Sequence, residues 1–304
     1  MFKIFNKGKI AVIKIHGTIG STVKYEQILP LLIKAEKNKS VKAVIIDINS
    51  PGGGVTDSDL IYSSLVSLNK LKPVIAYIQG LGASGGYLLA CASRNIIATE
   101  ASVIGSIGVI SIRPVLVDLL NNLGVKVEVN KTGEFKDSGS IWRKQTKKDS
   151  KYLQEFIDDY YERFLKIVTI NRDKDYKEIK KIADGKIYWA PKAKELGLID
   201  NIGNFNDAIK LAAKKGNCSE KIVLYKPKIS IFNKLYYAYH KNNRKRLVHL
   251  FDYFYPLDKI NNWNRLYGKK GFIQYQFVIP NDDVVKNIRT ILDKVSQFGL
   301  SSFL

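Results

Sequence analysis

Short apolar runs alternate with amphipathic stretches along roughly the first two hundred residues. The runs at Lys9–Ile15, Val41–Ile48, Val74–Ile78, Ile96–Ala98, Ile107–Ile112 and Val125–Val129 have the length and β-branched content of strands. Most are continuously apolar, as strands covered on both faces must be. Helical spacing intervenes at about Val23–Lys37, Val55–Lys70, Ser84–Ser93 and Val115–Leu123. This alternation predicts an α/β domain with mostly parallel strands. A longer helix is predicted over Asp149–Asn171, where Tyr152, Phe156, Tyr160, Phe164 and Ile167 recur every three to four positions. Shorter helices are predicted at Lys177–Ala183, Lys192–Leu196 and Phe205–Lys215. Near Pro227 the texture changes to one rich in Tyr, Phe, Asn and basic residues, with a strand-like run at Phe272–Ile279 and a helical pattern at Val284–Phe298. A boundary near residue 228 therefore divides the chain into regions 1–228 and 229–304.

Charge changes this picture little. The net charge of +21 over 304 residues comes from scattered lysines. No helix-turn-helix, RRM or KH pattern accompanies them, so nucleic acid is not an expected partner. A solvated basic surface explains them most simply, and peripheral contact with an anionic membrane comes next. Cys91 and Cys218 are too few for a disulfide framework and lack metal-ligand spacing. Cys91 falls in a small apolar helix and reads as a buried free thiol. No apolar run approaches the ~20 residues that span a bilayer. The basic start is followed only by Ile10–Ile13 before Lys14, which fits a strand better than a signal peptide.

The candidate chemistry begins at Ser84, in Gly82-Ala83-Ser84-Gly85-Gly86-Tyr87. This run joins a predicted strand to a predicted helix, so the hydroxyl is gripped from both sides. Its small neighbours leave room for a substrate backbone, and first-turn amides favour developing negative charge. A serine nucleophile needs a base. His16 lies in the first strand, while His240 and His249 lie far along the basic C-terminal stretch. Lys136, in Lys131-Thr-Gly-Glu-Phe-Lys136-Asp-Ser-Gly-Ser140, is the stronger candidate, because Ser-Lys pairs replace Ser-His-Asp in some hydrolases. Such a lysine must be neutral to work, which burial beside Ser84 would favour. A second loop, Asn49-Ser50-Pro51-Gly52-Gly53-Gly54, follows the second strand. It lacks the Gly-Lys-Ser/Thr ending of a phosphate loop. Placed beside Ser84, it would supply the other side of an oxyanion site.

These pieces resemble the S49 peptidases, the signal peptide peptidase A family, over about residues 9–215. The matching motifs are Asn49–Gly54, Gly82–Tyr87, Gly105-Ser-Ile-Gly-Val-Ile110, Lys131–Ser140, Ala183-Asp-Gly-Lys-Ile-Tyr188 and Leu198-Ile-Asp200, in order and with matching spacing. The resemblance implies an α/β fold of the ClpP/crotonase ββα superhelix type. It implies Ser84 as nucleophile, Lys136 as general base, Ser106 as the residue that helps orient the lysine, and Gly53 and Gly85 as oxyanion-hole amides. It further implies ring-shaped homo-oligomers, extended peptide substrates such as signal peptides, no metal and no cofactor. The serine and lysine of one site can come from neighbouring subunits. Many members carry an N-terminal membrane anchor, whereas this chain is expected to begin at its first strand, and with the resemblance a bacterial protein, cytoplasmic or peripheral to the inner membrane, is expected.

Residues 229–304 resemble something else. Phe254-Tyr-Pro-Leu-Asp258, Trp263-Asn-Arg-Leu-Tyr-Gly268, Gly271-Phe-Ile-Gln-Tyr-Gln-Phe-Val-Ile-Pro280 and Gly299–Leu304 are similar to part of the substrate domain of FAD-linked oxidases of the decaprenylphosphoryl-ribose oxidase kind. No flavin-binding domain accompanies them, so a fused or joined fragment without flavin activity is expected, as a small α+β or poorly packed segment. Two rival functions stand beside the peptidase. A crotonase-like acyl-thioester enzyme would normally need a carboxylate in the pocket. A membrane-associated scaffold would leave the dyad unused.

Overall fold

The computed structural model describes residues 8–227. The chain divides into two units, Met1–Lys228 and Ile229–Leu304. The strand and helix expected at Phe272–Ile279 and Val284–Phe298, the oxidase-like motifs, His240 and His249 all lie outside the described residues.

The first unit is built on three long parallel strands, β1 (Lys9–His16), β2 (Val41–Ser50) and β3 (Val74–Ala83). Their unbroken apolar character has the expected cause. In β2 every residue from Ala43 to Ile48 is buried, because both faces of the sheet are covered. Ile13, Ile15, Val44, Ile46, Ile48 and Ala76 pack with helices α1 (Tyr25–Lys37), α2 (Val55–Leu71) and α3 (Gly85–Ala90). The alternate residues Ile10, Val12, Ala43, Ile45, Ile75 and Tyr77 meet Ala208, Ala212 and Ala213 of α8 (Phe205–Gly216). Small residues on α8 let it lie close to the sheet. Each buried Ile or Val contributes roughly 1.5–3 kcal/mol.

The remaining strands are short. β4 (Ile96–Ala98) pairs in parallel with β3 at Ala76–Ile78, and β5 (Val103–Gly105) pairs in parallel with it at Leu81–Ala83. One strand thus changes partner halfway along its length. β6 (Ile187–Trp189) adds antiparallel to β5, and β7 (Asn201–Ile202) adds parallel to β4. β8 (Ile222–Tyr225) closes the other side against β1. The order across the sheet is β6-β5-β3-β2-β1-β8. Helix α4 (Val117–Asn122) is short, and α5 (Lys147–Arg172) starts from a capping box in which Thr146 and Asp149 exchange hydrogen bonds. Helices α6 (Tyr176–Ile182) and α7 (Ala190–Glu195) precede β7.

Two expected strands are absent from the described residues. Ile107–Ile112 and Val125–Val129 have no strand pairing. The ladder runs instead through Val103–Gly105, and the chain beyond it leaves the sheet. Ile110 and Ile112 are 79% and 83% exposed, and Val125, Val127 and Val129 are also exposed. Alternating apolar residues make a strand only where a neighbouring strand supplies a ladder and a surface to cover, and among the described residues no strand pairs with Val109–Ile112 or Val125–Val129. The expectation of a buried Cys91 holds. Burial pushes its thiol up to about 12, so at neutral pH it carries almost no thiolate. Native protein is expected to show no Cys91 reaction with a thiol reagent, and the full thiol count only after unfolding. Rapid native modification of Cys91, mapped by mass spectrometry, would contradict this.

Candidate active site

The site sits where β2 and β3 end. Their register shifts after Ile48 so that Ser50 opposes Gly82, which brings the loop after β2 against the corner after β3. Side chains would prevent that approach. A Cβ on Gly52 would lie 2.6 Å from the Gly85 nitrogen and 2.8 Å from Ser84 Cβ, and one on Gly86 would lie 2.6 Å from the Ser50 carbonyl oxygen. Gly52 has φ +92°, a region that L side chains rarely adopt. Gly52→Ala is therefore expected to lower stability by about 2 kcal/mol and hydrolysis at least about tenfold. Urea unfolding and a peptide assay would check this. Gly185→Ala, at φ +82° with open space around it, should show the backbone strain alone.

Ser84 occupies the N-cap of α3 with φ 51° and ψ −123°. A non-glycine residue there stores on the order of 1–3 kcal/mol of strain, which the surroundings must hold. The Ser84 N–H donates to the Gly105 carbonyl at 2.8 Å, and its carbonyl accepts from the Leu88 N–H at 2.9 Å. Tyr87, three residues on, is fully buried and donates its hydroxyl to the Leu198 carbonyl at 2.7 Å. The corner is thus fastened to β5, to its own helix and to the turn before β7.

Ser106 follows β5 as Ser84 follows β3. Ala83 and Gly105 are partners in register, so the two serines leave adjacent strand ends. Ser106 also has a positive φ, 50°, and its N–H donates to the Lys186 carbonyl at 2.7 Å. Gly53, at φ +146°, packs against the Ile19 backbone, which donates to the Gly52 carbonyl and accepts from the Gly54 N–H. Among the described residues, neither the Gly53 nor the Gly85 N–H has a hydrogen-bond acceptor. Gly85 opens α3, so no carbonyl of its own helix is available to it.

A cleft of about 240 Å³ opens beside Ser84, and Gly53 and Gly85 line it too. Its walls are mostly apolar, with Val55 and Leu60 from α2, Leu88 from α3, and Phe164 and Ile167 from α5. Arg163 and Asp59 stand in the same lining as an ion pair, with Arg163 Nε 2.8 Å from Asp59 Oδ1. Together with the bond from Asn171 Nδ2 to the Tyr62 hydroxyl, 3.0 Å, this pair ties α5 to α2. The sequence reading missed the contribution of α5 to the cleft. Its helical periodicity marked Phe164 and Ile167 as core, and no local pattern tells a core residue from one lining a cleft.

Lys136 lies elsewhere. It is exposed, in a turn of the 109–146 segment, and does not line the Ser84 cleft. The structure does not bring Lys136 and Ser84 together, and the expected burial of the lysine beside Ser84 is not seen. The turn itself is firmly built. Arg143 Nε and Nη2 bond both oxygens of Asp137 at 2.8 and 2.9 Å, and Nη1 and Nη2 bond both oxygens of Asp149 at 2.6 and 3.0 Å. Lys131 Nζ adds a contact to Asp137 at 2.5 Å. These charge-assisted bonds, led by those of Arg143, hold the carboxyls of Asp137 and Asp149 well below the usual carboxylate range. His16 is remote from this chemistry, with Nε2 3.2 Å from the buried carboxylate of Asp47. Among the described residues no cluster of His, Cys, Asp or Glu could hold a metal ion, and no helix is long and apolar enough to cross a membrane.

The chain is similar to known proteins. The model of Peptidase family S49 matches residues 67–219, and that of Clp protease matches residues 3–104. The candidate protease MJ0651 of Methanocaldococcus jannaschii is 40% identical over 196 residues, 64% of this chain and 63% of that protein. The candidate signal peptide peptidase SppA of Enterococcus faecium is 34% identical over 227 residues, 71% of this chain and 66% of that one. The candidate protease slr0021 of Synechocystis is 37% identical over 212 residues, 70% of this chain and 76% of its own. The chain spans just under two thirds of the length of the first two. The β-β-α succession around Ser84 is of the ClpP/crotonase type, and by the family model and these relatives the chain belongs to peptidase family S49.

Proposed function

We propose that the protein is a serine endopeptidase with a Ser-Lys dyad, acting on extended peptides. The observation that carries this reading is Ser84 itself. It is held at a strained corner and lines an apolar cleft together with Gly53 and Gly85, whose N–H groups have no acceptor among the described residues. In the proposed cycle Ser84 Oγ attacks the peptide carbonyl as neutral Lys136 takes its proton. The N–H groups of Gly53 and Gly85 receive the oxyanion. Lys136 then protonates the leaving amine, and water repeats the sequence on the acyl-enzyme. Ser106, on the adjacent strand end, orients the lysine. The apolar lining suits an apolar side chain next to the scissile bond, and signal peptides are the substrate class that the name of the Enterococcus relative suggests.

Because Lys136 is exposed and away from the cleft, we assign it to the Ser84 site of a neighbouring subunit in a homo-oligomeric ring. The 109–146 segment supports this assignment. It exposes Ile110, Ile112, Val115, Leu119, Phe135 and Trp142, apolar side chains that a neighbouring subunit would cover. Cofactor-free hydrolysis by purified protein of a fluorogenic peptide with an apolar residue before the scissile bond tests the function. Labelling by a fluorophosphonate probe, mapped to Ser84, separates it from a scaffold that binds anionic membranes and from a thioester enzyme. A chain that neither cleaves nor labels would overturn the reading.

A further inference from the structure

We infer that Arg143 is a positioning residue for catalysis, which keeps Asp137 away from Lys136 and fixes the turn that carries the lysine to the helix that walls the substrate cleft. The inference rests on Lys136 being the general base. Three facts on different elements converge on Arg143. It bonds both oxygens of two carboxylates at once, a fork-to-fork arrangement that a guanidinium alone can make twice over. Asp137 is the residue directly after Lys136. Asp149 is the capping-box residue of α5, and it also bonds the Thr146 N–H at 2.9 Å and the Ser138 hydroxyl. The base-bearing turn is therefore tied to the start of α5, and the same helix contributes Tyr160, Phe164 and Ile167 to the cleft of its own chain, so the lysine offered to a neighbour is braced by the wall of this chain's own site.

The electrostatic consequence concerns the lysine. A carboxylate free to approach an ammonium favours the charged form, and a general base must be neutral. Asp137 is the nearest carboxylate in sequence, yet its lone pairs are taken by Arg143 and Lys131. Three further carboxylates of this region are also paired, and Arg113 donates to the Ser140 and Arg143 carbonyls. Glu134 meets Lys148 at 2.9 Å, Asp118 meets Lys144 at 3.2 Å, and Asp149 meets Arg143. Without Arg143, Lys131 would still hold Oδ1 of Asp137, but Oδ2 would be free to turn toward Lys136. The base would then lose its proton only at higher pH.

The test compares pH–rate profiles of peptide hydrolysis for the full chain and its Arg143→Ala, Arg143→Lys, Asp137→Asn and Arg143→Ala/Asp137→Asn variants. Arg143→Ala is expected to move the acid limb up by about one pH unit and to lower kcat about tenfold at pH 7, with KM within about twofold. Arg143→Lys should fall between Arg143→Ala and the natural protein, because one ammonium cannot occupy both carboxylates. This variant carries the test if Arg143→Ala fails to fold. In the double variant the acid limb should return toward its original position, since the carboxylate next to the lysine is gone and Asp149 is still held by the Thr146 N–H and the Ser138 hydroxyl. An unmoved limb with only a smaller amplitude, in Arg143→Ala or in Arg143→Lys, would overturn the inference, as would a double variant that stays shifted. Lys136→Ala separates the two readings. If it keeps full activity, the base assignment itself falls. If it is dead while the Arg143 profiles stay in place, only the role of Arg143 falls.

Discussion

Ser84→Ala is expected to reduce peptide hydrolysis by at least about a thousandfold, a loss of roughly 4 kcal/mol of transition-state stabilisation, while leaving the fold intact. The size follows from the absence of a substitute. Ser106 leaves the neighbouring strand end, but its N–H is directed to the Lys186 carbonyl and it is not among the residues that line the cleft. Cys91 is buried and held as a thiol. The fold should survive because the corner is held by backbone bonds, from Ser84 to Gly105 and from Leu88 to Ser84, which alanine keeps. Alanine removes no strain, since it suffers the same positive φ. Unfolding midpoints within a few degrees of each other, with hydrolysis lost and fluorophosphonate labelling abolished, would fit. Hydrolysis within tenfold of the natural protein would remove Ser84 from the role of nucleophile.

Much of this site was legible in the sequence because its elements are local. The apolar run of β3, the small residues around Ser84 and the glycine loop after β2 each declare themselves within ten residues. Parallel pairing of β2 with β3 then brings the two loops together almost automatically. What could not be read was where one strand changes partner. β3 was expected to end at Ile78, yet it runs on to Ala83, because Val103–Gly105 replaces Ile96–Ala98 as its neighbour beyond that point. Three-residue strands such as β5 and β6 carry too little periodicity to be seen alone. The failure at Ile107–Ile112 and Val125–Val129 has a different cause. Their pattern is that of a strand, but pattern records a surface that wants covering and does not say which chain covers it. The same gap applies to the proposed relation of Lys136 to Ser84. The motif suggested a role for the lysine, and nothing local fixed its place.

That gap leads to the second large effect. Ser84→Ala and Lys136→Ala proteins, each expected to be inactive alone, should regain activity when mixed and allowed to exchange subunits. Lys136 is exposed on a segment that leaves the sheet after β5, and the cleft beside Ser84 is lined without it. If each site combines the serine of one subunit with the lysine of its neighbour, a mixed interface of one orientation joins an intact Ser84 to an intact Lys136, while the other orientation carries both defects. In an equal mixture with random assembly, about one interface in four is then fully intact, so recovery should approach a quarter of the natural rate. Rings suit this arrangement, because a head-to-tail contact must close on itself or grow into a filament. The measurement is hydrolysis of a fluorogenic peptide by the mixture, with exchange followed independently by mass spectrometry of isotopically distinct subunits. Dilution to monomers should abolish activity in the natural protein as well, since an isolated chain leaves its lysine in water. A mixture that stays inactive despite verified exchange, or a monomer with full activity, would require the 109–146 segment to fold back and deliver Lys136 to Ser84 of its own chain. The apolar side chains of that segment would then become buried on substrate binding rather than on assembly, and hydrogen exchange at Val125–Val129 would slow with substrate and not with protein concentration.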